Sequence, residues 1–224
     1  MDAELPVETF ASLTEIPFLR HAFTGRVPGL DVKVDREAAL VRLEKYHVSA
    51  RRNLGGSGPF IIGTQVHGRE IAIVTSQTPS PVADVDGLIT NDPDVTLGIY
   101  VADCCAIYLA DPKRRVIALL HSGRKGTELN IVGAAVQKMR DAFGCVPADL
   151  VAQLSPCIRP PHFEVDFAAQ IAAQCRGAGI LRVSDCGTCT AGNTDRYYSY
   201  RIEHGKTGRM LALLNMRGGV APVV

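Results

Sequence analysis

Hydrophobic and polar positions along the chain follow two different periods. Short apolar runs bounded by turn residues are typical of strands, whereas apolar residues three or four positions apart predict amphipathic helices. The strand pattern covers residues 10–19, 60–68, 71–74, 96–102, 106–110, 116–121, 150–154 and 210–214. The helical pattern covers residues 36–47, 127–143 and 166–175.

Residues at the ends of the helical patterns support the assignment. Asp35 and Asp166 are predicted N-caps, and Thr127 is the predicted N-cap of the middle helix, which Gly144 ends. Many strands are short and adjacent in sequence. The pattern therefore predicts an α/β (α+β) protein with mixed β-sheets covered by helices, rather than a doubly wound parallel sheet. We expect one domain over residues 1–224.

Composition and charge narrow the class of protein. Hydrophobic residues make up 46% of the chain and charged residues 21%, as expected for a soluble globular protein. The formal net charge is +1, so no bulk field attracts nucleic acid or a membrane surface. Seven cysteines without a signal-peptide pattern predict free thiols in the cytoplasm. The sequence is compatible with a monomer or a homodimer.

Reactive side chains lie beside apolar runs at His67, His121 and the neighbouring thiols of Cys104 and Cys105. Two imidazoles and one thiolate suit Zn²⁺ and leave a fourth tetrahedral position open. Such an open site lowers the pKa of a bound water toward neutrality. The same groups also fit a cysteine nucleophile with a histidine base. A third interpretation is that the cysteines only pack in the core.

Two further motifs contain cations or thiols. The basic stretch 122–127 precedes a helical pattern, where backbone N–H groups favour anions; a solvated basic turn is the alternative. Cys186 and Cys189 form a lone Cys-x-x-Cys pair. Structural zinc needs a second such pair, so we predict loop thiols.

Acidic and aromatic residues give two more indications. Asp84 and Asp86 share one face of a strand and form a possible carboxylate pair. With a glycine adjacent, turn formation and backbone hydrogen bonding are the preferred role. The aromatic stretch 196–201 either lines a pocket or forms an amphipathic helix that faces the core. We favour the helix.

Several motifs together resemble the YfiH family, also called the laccase-domain or multicopper polyphenol oxidase family. Their order and spacing along nearly the whole chain carry the resemblance. The motifs are His-Ala-Phe-Thr-Gly-Arg (21–26), Gln-Val-His-Gly (65–68), Asp-Val-Asp-Gly-Leu-Ile-Thr (84–90), Ala-Asp-Cys (102–104), Ala-Asp-Pro (110–112), His-Ser-Gly (121–123), Ser-Pro-Cys-Ile (155–158), Phe-Glu-Val (163–165), Asp-Arg-Tyr-Tyr-Ser-Tyr-Arg (195–201) and Thr-Gly-Arg-Met (207–210).

The resemblance implies a fold of two mixed sheets covered by helices, similar to the catalytic domain of cytotoxic necrotizing factors. It also implies a catalytic metal site of two histidines and one cysteine, here His67, Cys104 and His121. Cys104 is selected over Cys105 because the family cysteine directly follows an aspartate. Zinc is the implied metal, and copper is less well supported because the ligands are few.

The resemblance further implies that the substrates are a purine nucleoside and phosphate. The implied reactions are phosphorolysis of adenosine, inosine, guanosine and methylthioadenosine, with adenosine deamination as a further activity. We expect Arg26, Lys125 and Asp103 to bind substrate or phosphate. Asp103 alternatively orients a metal ligand or handles a proton.

Two other hypotheses stay open. In the first, the protein is an amidase that removes a wrongly added amino acid from a cytoplasmic muramyl-peptide precursor, with Cys104 as nucleophile. In the second, it is a metal-binding or redox-responsive protein without turnover.

One departure from the family affects substrate preference. The common His-Ala-Gly-Trp-Arg-Gly is here His-Ser-Gly-Arg-Lys-Gly, so Arg124 replaces a tryptophan and Lys125 an arginine. Lysine keeps the charge but loses the planar two-pronged donor.

Overall fold

The computed structural model describes residues 5–56 and 58–217. Its strands are β1 (Val7–Glu8), β2 (Leu19–Thr24), β3 (Phe60–Ile62), β4 (Ile71–Ile73), β5 (Gly87–Thr90), β6 (Thr96–Val101), β7 (Cys105–Asp111), β8 (Val116–Ser122), β9 (Val151–Leu154), β10 (Arg182–Asp185) and β11 (Met210–Met216). Its helices are α1 (Ala11–Thr14), α2 (Arg36–Leu54), α3 (Arg124–Glu128), α4 (Ile131–Phe143) and α5 (Phe167–Gly177), with a 3₁₀ turn at Pro147–Asp149.

The strands form two mixed sheets. The first has the order β1-β2-β11-β6-β3 and the second β10-β9-β7-β8-β5-β4. Most neighbours are antiparallel, but β3 runs parallel to β6, β4 to β5, and β10 to β9. The fold class predicted from the sequence, mixed sheets covered by helices, is therefore confirmed.

Side chains that alternate along the central strands build the layers. Buried residues from both sheets form the largest core, which includes Leu97 of the first sheet and Leu119 of the second. The opposite face of the second sheet packs on α4 and α5, and the opposite face of the first sheet packs on α2. The Tyr108 hydroxyl also joins the sheets by donating to the carbonyl of Ala22 over 2.9 Å. The order of layers is thus α2, first sheet, second sheet, and α4 with α5.

The helix caps agree with the prediction at three of four positions. The carboxylates of Asp35 and Asp166 accept backbone N–H bonds in the first turns of α2 and α5. Gly144 ends α4 in the left-handed conformation. The prediction for Thr127 is wrong. Asn130 caps α4 instead, while Thr127 lies inside the preceding helix α3 and donates to the Gly123 carbonyl.

The predicted strand at 10–19 is wrong over most of its length. The segment forms α1 and a turn, and a strand begins only at Leu19. Phe10, Leu13 and Ile16 are all buried, a spacing of three that places them on one side of a helix rather than of a strand. The weak alternation of apolar and polar residues in this segment resembles that of a strand and conceals the three-residue spacing.

Two other elements differ in length from the prediction. Helix α2 continues past residue 47 because Ala50 is buried one turn further, and it ends at left-handed Gly55. Strand β3 stops at residue 62 instead of 68. The backbone beyond it turns so that the N–H groups of residues 66–68 donate to the buried carboxylate of Asp86. Residue 57 of the glycine-rich stretch and the outermost residues of the predicted 1–224 domain lie outside the described residues.

Within the part of the chain that the structure describes, no helix has the length and apolar character of a membrane span.

Strand β10 was not predicted, because its side chains are half-buried or exposed and show no apolar alternation. It is held by parallel pairing to β9 at the edge of the second sheet.

Leu119 tests the core between the sheets. Its side chain is fully buried there. We expect Leu119→Ala to lower the free energy of unfolding by about 2–5 kcal/mol, because the substitution removes buried methyl groups and leaves a cavity. Leu181→Ala is the matched control, since Leu181 is 77% exposed, and its effect should stay within about 0.5 kcal/mol. Denaturant unfolding measures both, and equally small effects would contradict the inter-sheet placement.

Candidate functional site

The fold brings together the three side chains that the sequence analysis selected as metal ligands. Strands β7 and β8 are antiparallel neighbours, so Cys104, just before β7, lies beside His121 near the end of β8. His67 reaches the same place from the loop after β3. The potential ligand atoms of the three residues all lie within 4.8 Å of one another. The two imidazole rings meet edge to face with centroids 4.8 Å apart.

The buried carboxylate of Asp86 positions both histidines. It accepts backbone N–H bonds from residues 66, 67 and 68 over 3.1, 3.0 and 2.7 Å. It also lies 2.7 Å from Nδ1 of His121. Gln65 and His67 adopt left-handed backbone conformations that wrap the loop around this carboxylate. The predicted backbone hydrogen bonding of Asp86 is therefore confirmed, whereas its contact with His121 was not foreseen.

The charges of this cluster are coupled. Burial raises the pKa of the Cys104 thiol, but the charge and hydrogen bonds of His121 and His67 outweigh burial and lower the pKa to about 6. Burial lowers the pKa of His121, yet the Cys104 thiolate and Asp86 raise it to about 9. Burial also raises the pKa of Asp86, but the bonds from His121 and the backbone lower it overall. Near neutral pH, Cys104 is thus a thiolate, the form that binds metals or acts as a nucleophile.

The donor set fits a single small metal ion. Zinc with bonds of about 2.0–2.3 Å in a tetrahedron needs donor atoms about 3.3–3.7 Å apart, which small side-chain movements within this group can reach. With Nδ1 of His121 facing Asp86, its Nε2 is left for the ion. Gly123 keeps the space open, because a Cβ there would lie 2.7 Å from Sγ of Cys104.

A cavity of about 710 Å³ opens from this group of ligands. Its volume is within the range of roughly 300–1,000 Å³ that is usual for small-molecule sites. Aromatic side chains and cations make up much of its wall. The aromatic residues are Tyr100, Phe163, Phe167 and Tyr200, and the cations are Arg36, Arg124, Arg201 and Arg209, with His204 beside them.

Asp103 also lines the cavity, but its carboxylate is occupied by protein donors. The hydroxyls of Thr190 and Ser199 donate to it over 2.6 and 3.0 Å, and the backbone N–H of Arg201 donates over 2.7 Å. Asp103 has a left-handed backbone with φ of 79°. It therefore anchors the turn that carries Tyr200 and Arg201 into the cavity, while contact with a substrate stays a prediction.

The other two predicted anion-binding residues lie away from the cavity wall. Arg26 forms an ion pair with Glu203 at 2.6 Å and its guanidinium lies over the ring of Tyr198. Lys125 is exposed on α3 and is not among the residues that line the cavity. The basic stretch 122–127 is mostly this five-residue helix, rather than a loop before a longer helix. The structure thus brings neither cation to the candidate site.

The aromatic stretch has two separate roles. Its residues form turns, so the predicted amphipathic helix is wrong. Tyr197 and Tyr198 are buried in the core, whereas Tyr200 and Arg201 line the cavity. Sequence reasoning named this stretch as a possible pocket wall but did not separate the two pairs.

Four cysteines outside the cluster bear on the alternative hypotheses. Cys186 and Cys189 lie in a loop with free thiols, as predicted. Cys105 is fully buried and faces Ser155. The hydrogen bond with the Cys105 thiol, together with burial, raises the pKa of Cys157. These thiols therefore pack, and Cys104 differs from them in its contact with two imidazoles.

Sequence reasoning missed several cavity residues, among them Arg36 and Arg209. Arg36 begins α2, and Arg209 directly precedes β11. Nothing in the local sequence pattern connects them, because only the packing of α2 on the first sheet places both at the cavity. The Thr-Gly-Arg-Met motif at 207–210 contributes to the family resemblance, but nothing in it predicts that Arg209 lines the cavity.

The chain matches a protein-family model described as multi-copper polyphenol oxidoreductase laccase, over residues 29–170 and 165–217. The chain belongs to this family. A family relative in Deinococcus radiodurans, named purine nucleoside phosphorylase, is 33% identical and the match covers 68% of each chain. Another from Streptomyces coelicolor with that name is 30% identical over 65% of this chain and 70% of its own. The Bacillus subtilis purine nucleoside phosphorylase YlmD is 27% identical, with 59% of each chain covered.

Solved structures of the family share the fold. YlmD from Geobacillus stearothermophilus superimposes with a TM-score of 0.77 at 23% identity, over 93% of this chain and 94% of that one. The hypothetical protein YfiH of Bacillus licheniformis gives a TM-score of 0.74 at 21% identity, over 89% and 93%. At these identities the likeness shows the fold alone, and it agrees with the layers described above.

Removing two of the three ligands tests the metal site. We expect the double variant His67→Ala and Cys104→Ser to lose stoichiometric metal, because a single imidazole cannot hold the ion. Cys186→Ser is the matched control, since it removes a loop thiol outside the cluster. Mass spectrometry of zinc and copper, after metal loading and desalting, gives the ratio of metal to protein. Full occupancy in the double variant would refute the site.

Gly123 tests whether the space beside Cys104 is needed. A methyl group at this position would press on Sγ of Cys104, since the added Cβ lies at 2.7 Å. We expect Gly123→Ala to weaken metal binding about 10–100-fold, as displaced or unsupported ligands do. In Gly177→Ala the added Cβ has no neighbour within 4 Å, so this control should keep its affinity. Competition with a chromogenic chelator measures both, and equal affinities would contradict the steric argument.

Proposed function

We propose that this protein is a purine nucleoside phosphorylase that holds zinc between His67, Cys104 and His121. The observation that carries the proposal is the opening of this ligand group into a cavity with aromatic and arginine walls. A purine base stacks on aromatic rings, and arginine binds phosphate. The names of the family relatives support the same activity.

The aromatic walls are suited to a flat heterocycle. Phe163 and Phe167 meet edge to face with centroids 5.8 Å apart. The side-chain amide of Gln65 makes two hydrogen bonds to the backbone of Tyr100. Its Nε2 donates to the Tyr100 carbonyl, and its Oε1 accepts from the Tyr100 N–H. This pair of bonds also ties the loop that carries His67 to strand β6. The ligand group and this aromatic wall are therefore joined by hydrogen bonds.

Zinc is the metal that best suits the ligands. Three protein ligands and an open fourth position are typical of catalytic zinc, which would act there as a Lewis acid. Copper sites with two histidines and one cysteine are commonly completed by a weak axial methionine. No methionine lines the cavity in the described part of the chain. The three ligands also form the single group of this kind among the described residues.

The side chains of the protein then have separate tasks in phosphorolysis. In this reaction a phosphate oxygen forms a bond to C1′ of the ribose, the bond from C1′ to the purine nitrogen breaks, and the purine leaves with the bonding pair and gains a proton. Arginines in the cavity hold the phosphate, and the aromatic walls hold the base. Asp86 fixes the tautomer of His121, and Asp103 anchors the turn that carries Arg201.

A second candidate function follows from the Cys104, His121 and Asp86 cluster. A thiolate, an imidazole and a carboxylate that orients the imidazole are the parts of a cysteine hydrolase. The contact of Nδ1 of His121 with Asp86 at 2.7 Å and the lowered pKa of Cys104 favour this arrangement. It supports the hypothesis of an amidase on muramyl-peptide precursors. Adenosine deamination at the same site is a third activity to be assayed.

Product analysis with adenosine separates these activities. We expect adenine and ribose 1-phosphate in the presence of phosphate and zinc, and neither without phosphate. Cys104→Ser should lower the rate about 100-fold or more, because it removes a charged group from the centre. Cys186→Ser, outside the site, should keep the wild-type rate.

Other outcomes identify the alternatives. Inosine as the product would show deamination. A chelator-resistant release of amino acids from muramyl peptides that is abolished by thiol alkylation, without action on nucleosides, would replace the phosphorylase proposal by the amidase.

A further inference from the structure

Four arginines of the described part of the chain line the cavity, and the charges of two of them are neutralised by carboxylates of the protein. Arg124 pairs with Glu128 at 2.9 Å and with Glu164 at 3.5 Å. Arg201 lies 3.6 Å from the other oxygen of Glu164. All four of these side chains are exposed at the cavity rim. Carboxylates thus compensate the positive charge on this side of the opening.

Arg36 and Arg209 have a different environment. Among the described residues, no carboxylate lies within ion-pair distance of either guanidinium. Nη1 of Arg209 donates to the carbonyls of Thr207 and Gly208 over 2.9 Å each. These two bonds fix the plane of the guanidinium, and its Nε and Nη2 make no hydrogen bond within the described part of the chain. Arg209 therefore offers oriented donors that no protein acceptor uses.

The two guanidiniums also repel each other. Burial lowers the pKa of Arg209, and the charge of Arg36 lowers it further. Among the described residues that line the cavity, Asp103 is the acidic one, and it is already bound by three protein donors. The chain as a whole carries a formal charge of only +1, so this concentration of positive charge is local. A bound anion would relieve the repulsion.

We propose that Arg36 and Arg209 form an oxyanion subsite that binds a phosphoryl group in the cavity beside His67, Cys104 and His121. The group belongs to inorganic phosphate or to a phosphorylated nucleoside. Arginine suits either, because its planar fork makes two parallel bonds to phosphate oxygens. The place of this subsite in a reaction rests on the proposed phosphorylase function, but its affinity for phosphate can be measured without turnover.

Calorimetric titration of the zinc-loaded full chain with inorganic phosphate tests the subsite. We expect Arg36→Gln and Arg209→Gln each to raise the Kd about 10–100-fold, the loss of one to two charge-assisted hydrogen bonds. Arg209→Lys should lose less, because the charge remains and only the fork is removed. Lys125→Gln is the matched control. It removes an exposed cation that does not line the cavity, and its Kd should stay within about twofold of wild type.

Several outcomes overturn the subsite. It is refuted if the wild type binds neither phosphate nor adenosine 5′-monophosphate, if both glutamine variants bind as the wild type does, or if Lys125→Gln loses as much affinity. Circular dichroism and zinc content establish that each variant is folded. Arg36 is exposed, so Arg36→Gln provides the test even where Arg209→Gln perturbs the turn that it braces.

The same titrations identify the source of the phosphoryl group. Weakened binding of inorganic phosphate with unchanged binding of adenosine assigns the subsite to the free anion. Weakened binding of adenosine 5′-monophosphate, in a protein whose wild type does not bind inorganic phosphate, assigns it to a phosphorylated substrate. Intact phosphate binding with no phosphorolysis in the wild type refutes the proposed function and leaves the subsite standing.

Discussion

The buried carboxylate of Asp86 is the constraint on which the candidate site depends. Removing a carboxylate from water costs several kcal/mol unless its oxygens are fully bonded. Three backbone N–H groups of the loop 66–68 and the ring of His121 meet that requirement. Movement of the loop 66–68 away from the end of β8 would therefore remove three hydrogen bonds from the buried carboxylate of Asp86. One side chain thus fixes the backbone of the first histidine and the ring orientation of the second.

From Asp86 outward, the charges alternate in sign. The carboxylate faces the His121 ring, this ring faces the Cys104 thiolate, and the thiolate faces a cavity whose wall carries the guanidinium of Arg209. Each group lowers the energy of its neighbours because the surroundings are poor in water. In the proposed oxyanion subsite, a bound anion would be the next member of this series, beside the arginines and not beside the thiolate.

The sequence allowed the ligand trio to be predicted because each member ends or follows an apolar strand pattern, and because the family motifs distinguish Cys104 from Cys105. The backbone role of Asp86 was also foreseen from its turn chemistry. The pairing of Arg36 with Arg209 was not, since it arises only when α2 packs on the first sheet. The cap at Asn130 was missed because the short helix α3 directly precedes α4. Neither proline nor glycine lies between the two helices to mark where the first ends.

The replacement of the family tryptophan by Arg124 has a limited effect on the cavity. Arg124 lies at the rim, where Glu128 and Glu164 neutralise its charge. Glu164 also reaches Arg201, whose guanidinium lies 5.6 Å from the ring centroid of Phe163. The aromatic surface that the tryptophan would supply is thus replaced by a salt-bridged rim that stands against a phenylalanine. In the proposed function, the phenylalanine and tyrosine walls then recognise the base, and the charged, exposed rim adds no stacking surface.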